Sequence, residues 1–204
     1  MVNRVGRRKK KKNYPQLVLL GFTVLFLGTF ATGIADKYSS SQATSQPTTD
    51  SETQTKQSFI KKLVPVAQAE QRQYGVFTSI TLAQAALESD WGQSELSAKY
   101  NNLFGIKSST GSLMTTQEYV NGEWVTIKDT FAVYNSWDDS VKAHTQLFVN
   151  GTAWNSDHYG SVLRATSYEQ AAQALQQQGY ATDPDYAQKL ISLIKEYNLH
   201  QYDL

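Results

Sequence analysis

Nineteen consecutive residues, Leu17 to Ala35, carry no charge and include the runs Leu17-Val18-Leu19-Leu20 and Val24-Leu25-Phe26-Leu27. As a helix that length spans a bilayer, and it sets aside the first sixth of the chain from any water-soluble fold. The residues ahead of it sharpen the reading. Arg4, Arg7, Arg8 and Lys9 to Lys12 place seven cations before residue 13 with no acid among them, and such a block stays on the cytoplasmic side of a membrane. Residues 1–16 are therefore expected in the cytoplasm, 17–35 as a single-pass transmembrane anchor, and everything after Ala35 outside. Gly33-Ile34-Ala35 also offers small residues where a signal peptidase would cut, so a cleaved leader and a secreted product is the alternative.

Residues 36–56 are rich in Ser, Thr and Gln with almost no large apolar side chain. Such a segment cannot bury enough surface to offset the entropy of ordering, and a disordered stalk is expected. A tether of some twenty residues would let an attached domain sweep a nearby polymer layer. What remains, 57–204, suits one domain. After residue 12 the chain has 18 acids against 12 of its 19 basic residues, a net charge of −6. That balance argues against DNA or RNA as partner, since phosphate binding needs a basic surface. With no cysteine in the chain, disulfides, thiolate metal sites and thiol catalysis are excluded.

Helical periodicity starts near Ser58, with Ile60, Leu63, Val64 and Ala67 on one face and Gly75 as the stop. Thr78 or Thr81 can cap a second helix whose buried stripe is Ile80, Ala83 and Leu87, Thr81 with Gln84 matching a capping box. Glu88 falls near the end of that helix. There the helix dipole and apolar neighbours would both disfavour a charged carboxylate. Tyr119-Val120-Asn121-Gly122-Glu123-Trp124-Val125 signals a β-hairpin on an Asn-Gly turn. A two-residue turn pairs Val120 with Glu123 and Glu118 with Val125, putting Glu118, Val120, Glu123, Val125 and Ile127 on one face. Ser136 and then Ser167 start two more helices, the first carrying Val141, His144 and Phe148, the second ended by Gly179. Asp183 as cap with Pro184 opens the last, with Tyr186, Leu190, Ile194 and Tyr197 inward. The expected fold class is α+β: a mainly helical, lysozyme-like domain with one hairpin.

Glycoside hydrolysis needs one carboxyl to protonate the leaving oxygen and commonly a second as nucleophile or base. Glu88 and Glu118 supply that pair of residue types. A glutamate at a helix end is ordinarily a solvated surface residue. This one lies between an Ala-Gln-Ala-Ala-Leu run and Trp91-Gly92, ahead of the Asn- and aromatic-rich loop Tyr100-Asn101-Asn102-Leu103-Phe104-Gly105-Ile106-Lys107. His144, His158 and His200 have no ligand spacing and are read as structural or solvated. No Gly-x-Ser-x-Gly elbow supports a serine hydrolase.

The segments Ala83 to Gly92 and Asn101 to Lys107, followed in order by Thr116-Gln117-Glu118-Tyr119, Phe131-Ala132-Val133-Tyr134-Asn135-Ser136 and Gly179 to Ala187, resemble the endo-β-N-acetylglucosaminidases of glycoside hydrolase family 73. The resemblance covers roughly Ser58 to His200. It implies cleavage of the β-1,4 bond between N-acetylglucosamine and N-acetylmuramic acid in peptidoglycan, with Glu88 matching the catalytic acid and Glu118 the second glutamate. Glu123 is a rival for that second place. Tyr180 and Tyr186 match aromatics that line the glycan groove, and Asn102 and Phe104 are further candidate substrate contacts. For each of these four the alternative is packing or turn formation, and Trp91 is read as a core anchor. No cofactor or metal is implied. The partners expected are peptidoglycan glycan strands and, through the N-terminal helix, the membrane; the domain is expected to be monomeric. Muramidase or lytic transglycosylase activity and a non-catalytic wall-binding module are the competing readings.

Overall fold

The computed structural model describes the backbone of residues 48–120 and 123–204 and the side chains of 50–115 and 125–204. The expected anchor at 17–35 and most of the stalk lie outside the described residues, among which no helix is long and apolar enough to cross a membrane. The order is α1 (Thr48–Tyr74), α2 (Thr78–Ser89), α3 (Glu95–Tyr100), β1 (Lys107–Val120), β2 (Glu123–Phe131), α4 (Trp137–Asn150), α5 (Gly160–Leu163), α6 (Tyr168–Gln177), α7 (Tyr186–Glu196) and a final 3₁₀ turn, Leu199–Tyr202. It is the mainly helical α+β arrangement with a hairpin that the sequence predicts, joined by the short helices α3 and α5, which the periodicity does not reveal.

The first difference lies at the stalk. Residues 48–56 are not a loose tether but the opening turns of α1. Their composition is polar, yet Glu52 and Lys56 pair at 2.7 Å one turn apart, and such pairs support a helix. Lys56 Nζ also donates to the Tyr197 hydroxyl at 3.2 Å and lies over the rings of Trp91 and Tyr197, so tertiary contacts hold this end to the domain. Further along, Phe59, Ile60, Leu63, Val66 and Ala67 are buried.

Helix α2 runs through the centre, packed against α1, α6, α7 and the 3₁₀ turn. Ten of its twelve residues are buried, among them Ala83, Ala85 and Ala86. A helix covered on nearly all sides shows no single stripe, and Leu87, expected inward, is only half-buried. Neither threonine caps it. Phe77 occupies the N-cap without a side-chain bond, and Thr81 Oγ1 and Gln84 Nε2 bond elsewhere, to Phe77 O and the Tyr186 hydroxyl. The free N–H groups of the first turn find acceptors across the fold. Gln71 Oε1 takes Thr78 N at 2.9 Å and Thr78 Oγ1 at 2.7 Å, and Asp203 takes Ser79 N at 2.8 Å and Ser79 Oγ at 2.7 Å. The result is a cap built by distant side chains.

Elsewhere the local signals act as read. Ser136 Oγ accepts from Asp139 N and Ser167 Oγ from Gln170 N, and the hairpin register pairs Glu118 with Val125 and Val120 with Glu123. The last helix begins at Tyr186, later than expected, because Asp183 Oδ1 accepts from Asp185 N and its carbonyl accepts from Tyr186 N in a turn ahead of the helix. Gly179, at φ +69°, ends α6 and turns the chain toward Tyr180.

Replacing Asp203 by Ala removes two acceptors from the start of the central helix. It is expected to cost about 1 to 2 kcal/mol and lower the melting temperature by a few degrees, read by thermal denaturation followed by circular dichroism; an unchanged melting curve would show that the distant cap contributes nothing.

Candidate active site

The C-terminal end of α2 is fixed by an unusual turn. Asp90, Trp91 and Gly92 take successive positive φ angles of 50°, 56° and 81°, a sequence that costs energy at the two non-glycine positions. Ser89 holds it together: its buried hydroxyl donates to Ala85 O and accepts from Gly92 N. Gly92 is required by space as well as by φ, since a Cβ there would stand 2.5 Å from the Trp137 ring. Trp91 packs edge-on against Phe59 and Tyr197, as an anchor of the turn. Glu88, in the last turn of α2, is thereby carried on a rigid element.

Its carboxyl is received by two tyrosines. The Tyr186 hydroxyl donates to Oε1 at 2.6 Å and the Tyr180 hydroxyl donates to Oε2 at 3.3 Å. Behind them stand two more polar groups. Gln84 Nε2 donates to the Tyr186 hydroxyl at 2.8 Å, and His144 Nε2 lies 3.1 Å from the Tyr180 hydroxyl. Glu88 as a whole residue is half-buried, but its carboxyl is shielded from water. Burial pushes its pKa up to about 8, against the opposing pull of hydrogen bonds from Tyr186, Tyr180 and Gln84. The expected upward direction is thus found, with desolvation as its first cause. Burial also lowers His144 to about 3, so that this imidazole is neutral.

Four residues expected to touch substrate lie below the surface. Tyr180 and Tyr186 are 1% exposed and stack on each other at 5.7 Å, so no ring face is open to a sugar; they hold the glutamate. Phe104 is fully buried and stacks on His144 at 3.9 Å. Asn102 is a clamp for the hairpin base: Nδ2 donates to Ile106 O at 2.9 Å and Ala132 O at 3.0 Å while Oδ1 accepts from Ile106 N. It ties the strand entering the hairpin to the one leaving it. The side chains of Glu118 and Glu123 lie outside the described residues, and only their ladder positions are given.

Gln84 and His144 are the residues that sequence reasoning missed. Gln84 stands one turn before Glu88 among alanines, an i,i+4 spacing that puts the two side chains on one face. His144 shares its stripe with Val141 and Phe148, and nothing local distinguishes a histidine bonded to Tyr180 from one merely packed.

The glucosaminidase model, described as mannosyl-glycoprotein endo-beta-N-acetylglucosaminidase, matches residues 64–199. The chain belongs to this family. The exo-glucosaminidase LytG of Bacillus subtilis is 44% identical over 202 residues, covering 96% of this chain and 70% of that protein. A protein described as "Probable N-acetylmuramidase" from Lactococcus lactis subsp. cremoris is 34% identical, covering 97% of this chain and 47%, about half, of its own length. Among solved structures, the catalytic domain of the autolysin Auto from Listeria monocytogenes superposes with a TM-score of 0.68 at 39% identity, covering 79% of this chain and 91% of that one. This glucosaminidase-family domain is accordingly a glycoside hydrolase, and the match from residue 64 to 199 takes in Glu88, both tyrosines and the hairpin.

Because the folded pKa of Glu88 is raised above its unfolded value, the folded state holds a proton that the unfolded chain gives up. Glu88 therefore lowers stability progressively as pH rises from about 4.5 to about 8. Replacing Glu88 by Gln is expected to raise the melting temperature relative to wild type at pH 8, with the gain shrinking toward pH 4; a difference that does not change with pH would contradict the burial of this carboxyl.

Proposed function

We propose that the chain is a peptidoglycan hydrolase that cleaves the β-1,4 bond between N-acetylglucosamine and N-acetylmuramic acid, with Glu88 as the general acid. The observation that carries this reading is the Glu88 carboxyl held by two tyrosine hydroxyls at 2.6 and 3.3 Å on a helix end, in a residue still partly exposed, where burial raises its pKa to about 8. A general acid must be protonated at the working pH and must reach the leaving oxygen. Glu118 on the hairpin is proposed as the second carboxylate, with Glu123 its rival two register steps nearer the turn. About 5 Å between the carboxyls would fit a nucleophile and 6.5 to 9.5 Å a water-activating base.

The names of the relatives favour two further readings. LytG is called an exo-glucosaminidase, so cutting from the chain end competes with cutting inside it. The lactococcal protein is described as a probable N-acetylmuramidase, an activity that would put the break on the other side of muramic acid. The segment 17–35 is proposed as the membrane anchor, with residues 48–204 on the wall side; fractionation of cells expressing the full chain should place it in the membrane pellet, and release into the medium would favour the cleaved leader.

Mass spectrometry of digested peptidoglycan tests the bond. Reducing N-acetylglucosamine ends support the assignment, and reducing muramic acid or anhydro ends would refute it. Glu88→Gln is expected to lower turnover by 10² to 10⁴-fold, roughly the contribution of a positioned acid, while wall binding persists. Unchanged clearing would remove Glu88 from the chemistry.

A further inference from the structure

Two hydroxyls face Glu88, and each is faced in turn by a nitrogen. A phenol has one proton to give. For Tyr186 its direction follows from the amide: Gln84 Nε2 donates into the oxygen at 2.8 Å, which leaves only the acceptor Gln84 Oε1 buried without a partner where the reversed amide would orphan a donor, and the hydroxyl proton goes to Glu88 Oε1 at 2.6 Å. For Tyr180 the same question turns on the tautomer of His144. The ring is neutral in its buried site, so one nitrogen carries a proton. Nδ1 is buried and has no hydrogen-bond partner. A proton there would be an orphaned donor, and Nε2 would compete with Glu88 for the Tyr180 proton. The Nε2–H tautomer leaves only a lone pair unpaired at Nδ1 and donates to Tyr180, which then donates to Glu88 Oε2. The cost of an orphaned buried N–H decides between the two.

We infer that His144 and Gln84 are positioning residues that fix Tyr180 and Tyr186 as donors, so that the proton of Glu88 is kept off both tyrosines and left for a glycosidic oxygen. Each carboxyl oxygen already receives a hydroxyl proton from beneath. A Glu88 proton aimed at either tyrosine would meet the hydroxyl's own proton and leave a nitrogen donor behind it unsatisfied. The remaining lone pairs are those that face neither tyrosine. Without the two nitrogens a tyrosine could turn, accept the acid's proton and hold it inward. This inference rests on the reading of Glu88 as general acid.

The groups around the site bear on its titration. Gln84 comes from α2, Tyr180 from the connection between α6 and α7, Tyr186 from α7 and His144 from α4. Tyr159 lies behind Tyr180, with ring centroids 6.2 Å apart. Among the described residues no lysine, arginine or second carboxylate enters as a cause of the shift at Glu88. His144 itself sits between Phe104 and Phe148, so a phenylalanine there keeps the packing and deletes the donor.

The test is the pH dependence of turnover on solubilised glycan strands for His144→Phe, His144→Gln, Tyr180→Phe and the His144→Phe, Tyr180→Phe double variant, each checked for folding by thermal melt. Glutamine presents its amide nitrogen close to where Nε2 stands. His144→Phe is expected to lower kcat about tenfold with KM within about twofold, and to move the alkaline limb upward, because Glu88 loses a donor to its charged form. His144→Gln should restore both, and His144→Phe should add nothing once Tyr180 is already Phe, since His144 acts through that hydroxyl. Equal loss in the Phe and Gln variants without a shift of the limb, or additive loss in the double variant, would overturn the inference. If His144→Phe does not fold, the Gln variant decides: wild-type kcat and limb support the inference, and loss of either overturns it. Failure of the underlying reading looks different, because Glu88→Gln would then remain active or the wild type would show no alkaline limb.

Discussion

Burial of the Glu88 carboxyl against two tyrosine hydroxyls is the interaction around which the rest of the domain is arranged. A carboxyl removed from water disfavours its charge, and the hydroxyls moderate that cost without cancelling it. To supply them, the fold brings together the end of α2, the α6–α7 connection and the start of α7, residues about a hundred positions apart. Helix α2 can serve as the axis because its small residues allow close approach from several sides. The turn after it, with three positive φ angles in a row, stops the helix at the residue beyond Glu88. Strain at that turn and an uncomfortable carboxyl are both local costs, and the surrounding packed helices sustain them.

The hairpin is positioned by a different device. Asn102 bonds both ends of its base, and Lys107 pairs with Asp129 at 2.7 Å, largely shielded on the lysine side. The base is therefore tied to the helical part while the strands project from it. This division suits a two-carboxyl hydrolase, in which one group is buried and pre-set and the other arrives on a separate element.

How much of this was legible in the sequence depended on range. Register of the hairpin followed from Asn121-Gly122, and the caps at Ser136 and Ser167 from residues three apart, because in each case the deciding contacts are local. The start of α2 was misread because its acceptors are Gln71 and Asp203, one of them at the far end of the chain. Residues 48–56 were misread because what holds their helix, the contact of Lys56 with Trp91 and Tyr197, leaves no mark in local composition. The site shows the same limit. Glu88 and the two tyrosines could be named by motif, but a motif does not say on which side of a surface a ring lies. Phe104 and the tyrosines lie buried beneath Glu88, and Gln84 and His144 gain meaning only from what they face.

A general acid at Glu88 must be protonated at neutral pH. Carbon-13 NMR titration of the Glu88 side-chain carboxyl, assigned by comparison with Glu88→Gln, reads that state directly. A midpoint near 8 is expected; a midpoint in the ordinary carboxylate range, about 4 to 5, would show that the carboxyl is solvated and that the tyrosines do not hold it in the way described.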